Sequence, residues 1–163
     1  MQKMYPEIIE YINDRISEYD EIEEKRRIIL RAIREYIKER VADGNTSDMI
    51  FICTHNSRRS HFAQIWSKVA SYYYGVDKFI SYSGGTESTA LNQRVVTSLK
   101  KSGIRIETFE ENENPRYYIS YAENTDNIVG YSKQYSDQEN PQKNFAAVMV
   151  CSDAEEACPL VHG

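Results

Sequence analysis

The sequence predicts an α/β fold, in which a parallel, doubly wound sheet follows an N-terminal helical hairpin. Two observations favour this class. From residue 49 onward, short apolar segments typical of buried strands alternate with segments whose apolar residues recur at helical spacing. Before residue 45, only the helical spacing is found. Because strands that alternate with helices usually form parallel sheets covered by helices, we expect ligands at the carboxyl ends of the strands.

The first 44 residues are predicted to form two amphipathic helices. Pro6 suits a first helical turn and Gly44 suits a helix end. The apolar residues at helical spacing are Ile8, Ile9, Ile12, Ile16, Ile29, Leu30, Ile33, Ile37 and Val41. We interpret residues 1–47 as a helical extension and residues 48–163 as the α/β domain. The charged outer faces are typical of a solvated helix surface, and a dimerisation or partner-docking role for the extension stays open.

The composition of the 163 residues indicates a cytoplasmic protein that uses thiol chemistry. A net charge of -5 argues against non-specific binding to nucleic acid. No apolar segment is long enough to span a membrane, and the N-terminus has no apolar signal region. Three cysteines without a secretory signal point to a reducing compartment. We expect no cofactor and no membrane or nucleic-acid partner.

A short polar loop joins the first predicted strand, at residues 49–52, to a helix that should end at Gly75. Such a strand-to-helix turn directs backbone N–H groups and the positive end of the helix dipole at one point, which favours an oxyanion. We therefore expect the loop to bind an oxyanion through Thr54, His55, Asn56, Ser57, Arg58 and Arg59.

The side chains of this loop suit nucleophilic attack on a tetrahedral anion. Cys53 opens the loop, where its pKa should fall and its nucleophilicity should rise. The guanidinium of Arg59 can bind two oxygens of the anion, and the hydroxyl of Ser60 can donate to the thiolate. Asn56 tolerates a left-handed backbone. The alternative is a buried, inert cysteine beside solvated arginines.

Three further elements are predicted, namely a strand at 78–82, a helix at 92–101 that Gly103 ends, and a strand at 104–106. The region 108–144 is the least regular and contains five tyrosines, which either pack this insertion against the sheet or form the wall of a phosphotyrosine pocket: Tyr117, Tyr118, Tyr121, Tyr131 and Tyr135.

A continuous apolar segment at 145–150 predicts a buried strand that leads to Cys151 and Cys158. If this strand pairs with the first, both cysteines come near Cys53. Cys151 could then attack an adduct on Cys53, and Cys158 could carry the disulfide outward to a reductant. The alternatives are two unrelated loop cysteines, or a metal site with His162, for which the cysteine spacing is unusually long.

These motifs resemble those of the low-molecular-weight protein tyrosine phosphatase family and of its thioredoxin-coupled arsenate reductases. The anion loop of that family is Cys-x-x-Asn-x-x-Arg-Ser, which matches residues 53–60, although His55 replaces a usual glycine and Arg58 a usual cysteine. Residues 151–159 resemble the redox loop Cys-Ser-Asp-Ala-Asp-x-x-Cys-Pro of the reductases. Further matches are Gly85, Thr86, Glu87, Asn92, Arg94 and Val95.

The resemblance implies an arsenate reductase that takes an arsenate or phosphate oxyanion and a thioredoxin-like reductant. Cys53 would be the nucleophile, Arg59 and Ser60 would assist it, and Cys151 and Cys158 would form the disulfide relay. One alternative is a phosphotyrosine phosphatase that uses Cys53 and Arg59 alone. Another is an oxyanion-binding or interaction module without turnover.

The resemblance also implies a general acid, an aspartate in an Asp-Pro loop. No Asp-Pro pair occurs in the chain. We therefore expect the C-terminal part of the fold to be missing, and turnover by such a chain to be slower by ~100-fold or more, the usual effect of losing a proton donor.

Overall fold

The computed structural model describes residues 3–152 and residue 154. In chain order, the described residues form α1 (Pro6–Ser17), a 3-10 helix (Tyr19–Glu21), α2 (Glu24–Ala42), β1 (Ser47–Cys53), α3 (Arg59–Tyr73), β2 (Phe79–Gly85), α4 (Gln93–Lys101), β3 (Arg105–Glu107), β4 (Tyr117–Ser120), β5 (Ile128–Gly130) and β6 (Phe145–Met149). None of the helices in this described part of the chain combines the length and apolarity that a bilayer span requires.

The principal sheet is parallel and has the strand order β2-β1-β6. Cys53 lies opposite Gly85 in β2, and Ile52 lies opposite Met149 in β6. The predicted α/β class is therefore confirmed, and the carboxyl ends of all three strands meet at one edge. Cys53, the loop after β2 and Cys151 consequently share that edge.

A second sheet, β3-β4-β5, is antiparallel. Two of its strands, β4 and β5, lie within the region 108–144, for which the sequence predicted no regular elements. They are only 4 and 3 residues long, too short to show a recognisable alternation. Tyr117 and Tyr121 from this region are buried in the core, so these two rings pack the insertion against the rest of the fold.

The strand β6 is less buried than its apolar sequence predicts. Ala147 is exposed, and the other four residues of β6 are only partly buried. Among the described residues β6 pairs with β1 alone, so it forms an edge of the parallel sheet. Its partner β1 is central, and six of its seven residues are buried.

The two N-terminal helices form as predicted, but they pack against different parts of the core. Ile8 of α1 is fully buried in a cluster with residues of α3, α4 and the second sheet. In α2, by contrast, Ile33 and Ile37 contact a cluster around Phe51 of β1. Three other apolar residues of α2, Ile28, Ile29 and Leu30, are exposed. The boundary at residue 47 stays a prediction.

Gly103 shows how closely α1 is joined to the α/β core. Its φ is +91°, the left-handed conformation that glycine adopts without strain at a helix end. A Cβ on Gly103 would lie 2.6 Å from the Cβ of Glu7 in α1. Because α1 lies against this turn, the first helix is part of the core.

Candidate active site

The loop between β1 and α3 surrounds a small cavity, and Cys53 is one of the residues in its wall. The cavity has a volume of about 140 Å³, enough for a small tetrahedral anion. Its lining residues are Cys53, His55, Ser57, Arg58, Arg59, Thr89 and Asn92. The structure therefore brings Cys53 together with four of the six residues predicted to bind an oxyanion. The other two, Thr54 and Asn56, belong to the loop but are not among the lining residues.

Ser60 stabilises the thiolate form of Cys53. Its Oγ lies 3.1 Å from the Cys53 sulfur and 2.8 Å from Nδ2 of Asn56. Since the amide nitrogen can only donate, Ser60 Oγ accepts there and is free to direct its own proton at the sulfur. Burial raises the pKa of the Cys53 thiol, but hydrogen bonds from the Ser60 side chain and from the amides of Ser60, Ser57 and Asn56 outweigh burial and lower it.

The buried side chain of Asn56 holds the loop in place through two hydrogen bonds. It is fully buried and has a φ of +43°, a left-handed conformation that asparagine tolerates. Besides its bond to Ser60, its Oδ1 accepts the backbone N–H of Lys133 at 2.9 Å. The side chain therefore fixes the loop and holds Ser60 in position.

His61 supports the same residue. Its Nε2 lies 2.9 Å from the carbonyl oxygen of Asn56, and its Nδ1 lies 3.4 Å from Ser83 Oγ. Burial and then the charge of Lys133 lower the pKa of His61 to about 3, so the ring is neutral at physiological pH. A neutral ring that donates from Nε2 to Asn56 accepts from Ser83 at Nδ1.

The residues after β2 hold the outer side of the anion loop. The backbone N–H groups of Thr86 and Glu87 donate to the carbonyl oxygens of Cys53 and Thr54, at 3.1 and 2.8 Å. The N–H of Asn92 donates to the carbonyl of Ser57 at 3.0 Å. These carbonyl oxygens accept hydrogen bonds from residues outside the loop, whereas the amides of Asn56, Ser57 and Ser60 are directed at the Cys53 sulfur.

Two guanidinium groups give the cavity its positive charge. Arg58 and Arg59 are both exposed, and both line the cavity. Among the described residues neither forms an ion pair with a carboxylate. They lie at the N-terminus of α3, whose dipole adds further positive potential. The arrangement suits a doubly or singly charged tetrahedral oxyanion held against the thiolate.

Cys151 follows β6 and reaches the same edge of the sheet. Its sulfur lies 3.6 Å from Oγ1 of Thr54, the residue after Cys53, and both Cys53 and Cys151 are free thiols. Cys158 and His162, and with them the predicted third thiol and the alternative metal site, lie outside the described residues. Within the described part of the chain, no three His, Cys, Asp or Glu side chains are placed to hold a metal ion.

Several supporting residues had no role in the sequence prediction. Thr89 lines the cavity, and its hydroxyl and that of Ser132 donate to the carbonyl of His55, at 3.3 and 2.9 Å. Ser132 and Lys133 lie about 77 residues from the loop they support, and no local pattern marks them. Asn92 also lines the cavity, and its match to the family segment was its only signal. None of the five tyrosines lines the cavity.

Comparison with known proteins found no matching family model. Among curated proteins, an arsenate reductase 2 of Staphylococcus epidermidis is 30% identical over 111 residues, which are 68% of this chain and 65% of that protein. The arsenate reductase of Halalkalibacterium halodurans is 31% identical over 115 residues, 71% of this chain and 64% of that protein. The arsenate reductase of Bacillus subtilis is 30% identical over 110 residues, 68% and 60% respectively. The chain thus spans less than two thirds of the length of these proteins, and over that length it is similar to bacterial arsenate reductases.

Proposed function

We propose that this chain is an arsenate reductase in which Cys53 attacks a bound arsenate. The observation that carries the proposal is the contact between Cys151 and Thr54, which puts a second free thiol beside the nucleophile's loop. Hydrolysis of a phosphate ester at the loop of Cys53 and Arg59 needs no second thiol, whereas reduction of arsenate does. Similarity to curated arsenate reductases supports the same choice.

The first step joins sulfur to arsenic. The Cys53 thiolate attacks arsenic, a sulfur–arsenic bond forms, and one arsenic–oxygen bond breaks. The departing oxygen leaves as water after taking up protons, and arsenic remains pentavalent. Arg59 and the amides of the loop hold the other oxygens, where negative charge accumulates in the transition state.

The second step is the reduction. The Cys151 thiolate attacks the Cys53 sulfur, a disulfide forms, and the sulfur–arsenic bond breaks with its electron pair kept by arsenic. Arsenite, As(III), is released, and the two cysteines are oxidised. Cys158 would then attack Cys151 and pass the disulfide to a thioredoxin-like reductant in the reducing cytoplasm. Cys158 is outside the described residues, so its part in the relay rests on the sequence.

The test is arsenate-dependent oxidation of thioredoxin by the purified protein and its Cys53→Ser, Cys151→Ser and Cys158→Ser variants. We expect all three to stop multiple turnover. A single turnover separates them, because Cys158→Ser should release arsenite and retain a disulfide between Cys53 and Cys151, visible by mass spectrometry. Cys151→Ser should release none. Release of arsenite by Cys151→Ser at the wild-type rate would refute the relay.

A phosphatase remains the second candidate, because the cavity and the Ser60 contact are complete without Cys151. Such an enzyme would hydrolyse p-nitrophenyl phosphate equally well in wild-type and Cys151→Ser protein, and would oxidise no thioredoxin. Binding of arsenate or phosphate without turnover of either substrate would indicate the third candidate, an oxyanion-binding module.

A further inference from the structure

The carbonyl oxygen of His55 is held by two hydroxyl groups from outside the anion loop. Ser132 Oγ lies 2.9 Å from this oxygen, and Thr89 Oγ1 lies 3.3 Å from it. The backbone N–H of Thr89 also donates to Ser132 Oγ, at 2.8 Å. Since an N–H can only donate and a carbonyl oxygen can only accept, the Ser132 hydroxyl directs its proton at His55. These contacts fix the direction in which the carbonyl group points.

The direction of this carbonyl determines where the next amide points. The peptide unit between His55 and Asn56 is planar and trans, so its C=O and its N–H point in opposite directions. With the oxygen held by the two hydroxyl groups, the N–H of Asn56 is directed at the Cys53 sulfur and donates to it. The two hydroxyl groups therefore act on Cys53 through a single peptide unit.

The backbone of Asn56 would relax if this peptide unit turned over. Its φ of +43° lies in the left-handed region, which asparagine occupies at some cost in free energy. Rotation of the peptide unit by half a turn would bring this φ into the ordinary negative range. The N–H would then point away from Cys53, and a carbonyl oxygen would face the thiolate instead. The hydroxyls of Ser132 and Thr89 oppose the rotation, because it would break both of their bonds to the carbonyl.

The side chain of Asn114 fixes Ser132 in turn. Asn114 Oδ1 accepts the backbone N–H of Ser132 at 3.0 Å, and Asn114 Nδ2 donates to the carbonyl oxygen of Ser132 at 2.8 Å. Ser132 is only 2% exposed, so its hydroxyl bonds lie in a low local dielectric, which strengthens them. Both residues belong to the region 108–144, which thus reaches the loop of the nucleophile through one buried hydroxyl.

We infer that Ser132 is a positioning residue, which keeps the amide of Asn56 directed at the Cys53 thiolate. It acts through the carbonyl of His55, to which Thr89 supplies a second, longer hydrogen bond. The inference rests on the proposed function in one respect, that the Cys53 thiolate is the attacking group. It applies to attack on arsenate and on a phosphate ester alike, because the amide stabilises the thiolate before either substrate binds.

The test is the rate at which iodoacetamide alkylates Cys53, measured across pH in variants that lack one or both hydroxyl groups. In Ser132→Ala we expect alkylation at pH 7 to slow roughly 3-fold, because Thr89 still holds the carbonyl. In the double variant Ser132→Ala/Thr89→Val we expect roughly 10-fold, the lower value for losing a hydrogen bond to a charged group. The pH of half-maximal rate should rise in the same order. An unchanged pH profile in the double variant would overturn the inference.

Two further variants separate positioning from a general loss of stability. Thr89→Ser keeps the hydroxyl group and should recover the pH profile that Thr89→Val loses. Ser102→Ala removes another buried hydroxyl that donates to a backbone carbonyl, that of Leu99 at 2.8 Å, and should leave the profile unchanged. An equal rise in Ser102→Ala would attribute the effect to stability and overturn the role of Ser132. Thr89 is exposed, so Thr89→Val alone decides the matter if Ser132→Ala does not fold.

Amide NMR spectra observe the positioned group directly. In the wild-type protein, the signal of the Asn56 amide should shift as Cys53 ionises, because this N–H donates to the sulfur. We expect that shift to shrink in the double variant, and a shift of wild-type size there would overturn the inference. The other charged or ionisable groups at the cavity and beside Thr54 are the same in every variant, namely those of His55, Arg58, Arg59 and Cys151.

The outcomes also distinguish this inference from the proposed function. Arsenate turnover together with an unchanged pH profile in the double variant would overturn the role of Ser132 and leave the reductase in place. A shifted profile in a protein that turns over no arsenate would refute the reductase and support the positioning role. If Cys53 of the wild-type protein reacted no faster at pH 7 than free cysteine, both would be overturned, because the thiol would not be activated.

Discussion

The hydroxyl of Ser60 lies 3.1 Å from the sulfur of Cys53, and the amide of Asn56 determines which of the two is the donor. Because Asn56 Nδ2 donates to Ser60 Oγ, the hydroxyl proton is left for the sulfur. A hydrogen bond of this kind favours the thiolate over the thiol. Two successive hydrogen bonds, from Asn56 to Ser60 and from Ser60 to Cys53, therefore favour the thiolate, and all three residues are buried.

Ser60→Ala should make Cys53 less reactive near neutral pH. The substitution removes a hydrogen bond to a charged group, which typically contributes about 2 kcal/mol. The pKa of Cys53 should rise, and the pH at which the rate of alkylation by iodoacetamide is half-maximal should rise with it. Alkylation at pH 7 should slow by roughly 10-fold, since less thiolate is present. An unchanged pH profile would show that the loop amides alone stabilise the thiolate.

Asn56→Ala should destabilise the fold by about 3 kcal/mol, measured by urea denaturation. It removes two buried hydrogen bonds and puts a residue less tolerant of left-handed backbone at φ +43°. Asn124→Ala is the matched control, because Asn124 is exposed and has a φ of +57°. It should cost only about 1 kcal/mol, the backbone contribution. Equal losses in the two variants would show that the Asn56 side chain contributes nothing.

Gly85→Ala should displace the anion loop. A Cβ on Gly85 would lie 2.6 Å from the backbone nitrogen of Asn56 and would also collide with the carbonyl oxygen of Glu87. We expect sulfate to lose its ability to protect Cys53 from alkylation. Gly44→Ala is the control, since a Cβ there meets no atom within 4 Å and only the positive φ is strained. It should lower stability by about 1 kcal/mol and leave protection by sulfate intact.

Arg59→Lys should weaken oxyanion binding about 10-fold, because an ammonium group cannot bind two oxygens in the planar geometry of a guanidinium. The dissociation constant of arsenate can be measured by calorimetry in Cys53→Ser protein, which lacks the proposed nucleophile. Arg34→Lys on the exposed surface of α2 is the matched control and should bind as before. Unchanged affinity in Arg59→Lys would mean that the backbone amides alone hold the anion.

The sequence predicts the parallel sheet and the strand-to-helix loop after Cys53 because both depend on local patterns. The apolar residues of β1, the position of Cys53 after them and the helical spacing in α3 lie within about thirty residues. The supports of the loop are different, because Ser132 and Lys133 reach it only through the path of the folded chain. Helical spacing likewise predicts α1 and α2, but it does not predict which part of the core each one joins.

His61 should make the stability of the fold depend on pH under acidic conditions. Burial holds its pKa at about 3 in the folded state, against the ordinary 6.5 of the unfolded chain. Between these values the unfolded state binds the extra proton, so the free energy of unfolding falls as pH decreases from about 6.5 towards 3. The slope from this one group is at most about 1.4 kcal/mol per pH unit.

His61→Gln isolates this contribution, because a glutamine amide can still donate to the carbonyl of Asn56 but does not titrate. Carboxylates titrate in both proteins over the same range, so the difference between their urea denaturation curves reports His61. We expect the two stabilities to converge as the pH falls from 7 to 4. If the free energies of unfolding of the two proteins changed equally with pH over that range, His61 would not be held neutral in the folded state. Its bond to Asn56 would then not depend on the charge of the ring.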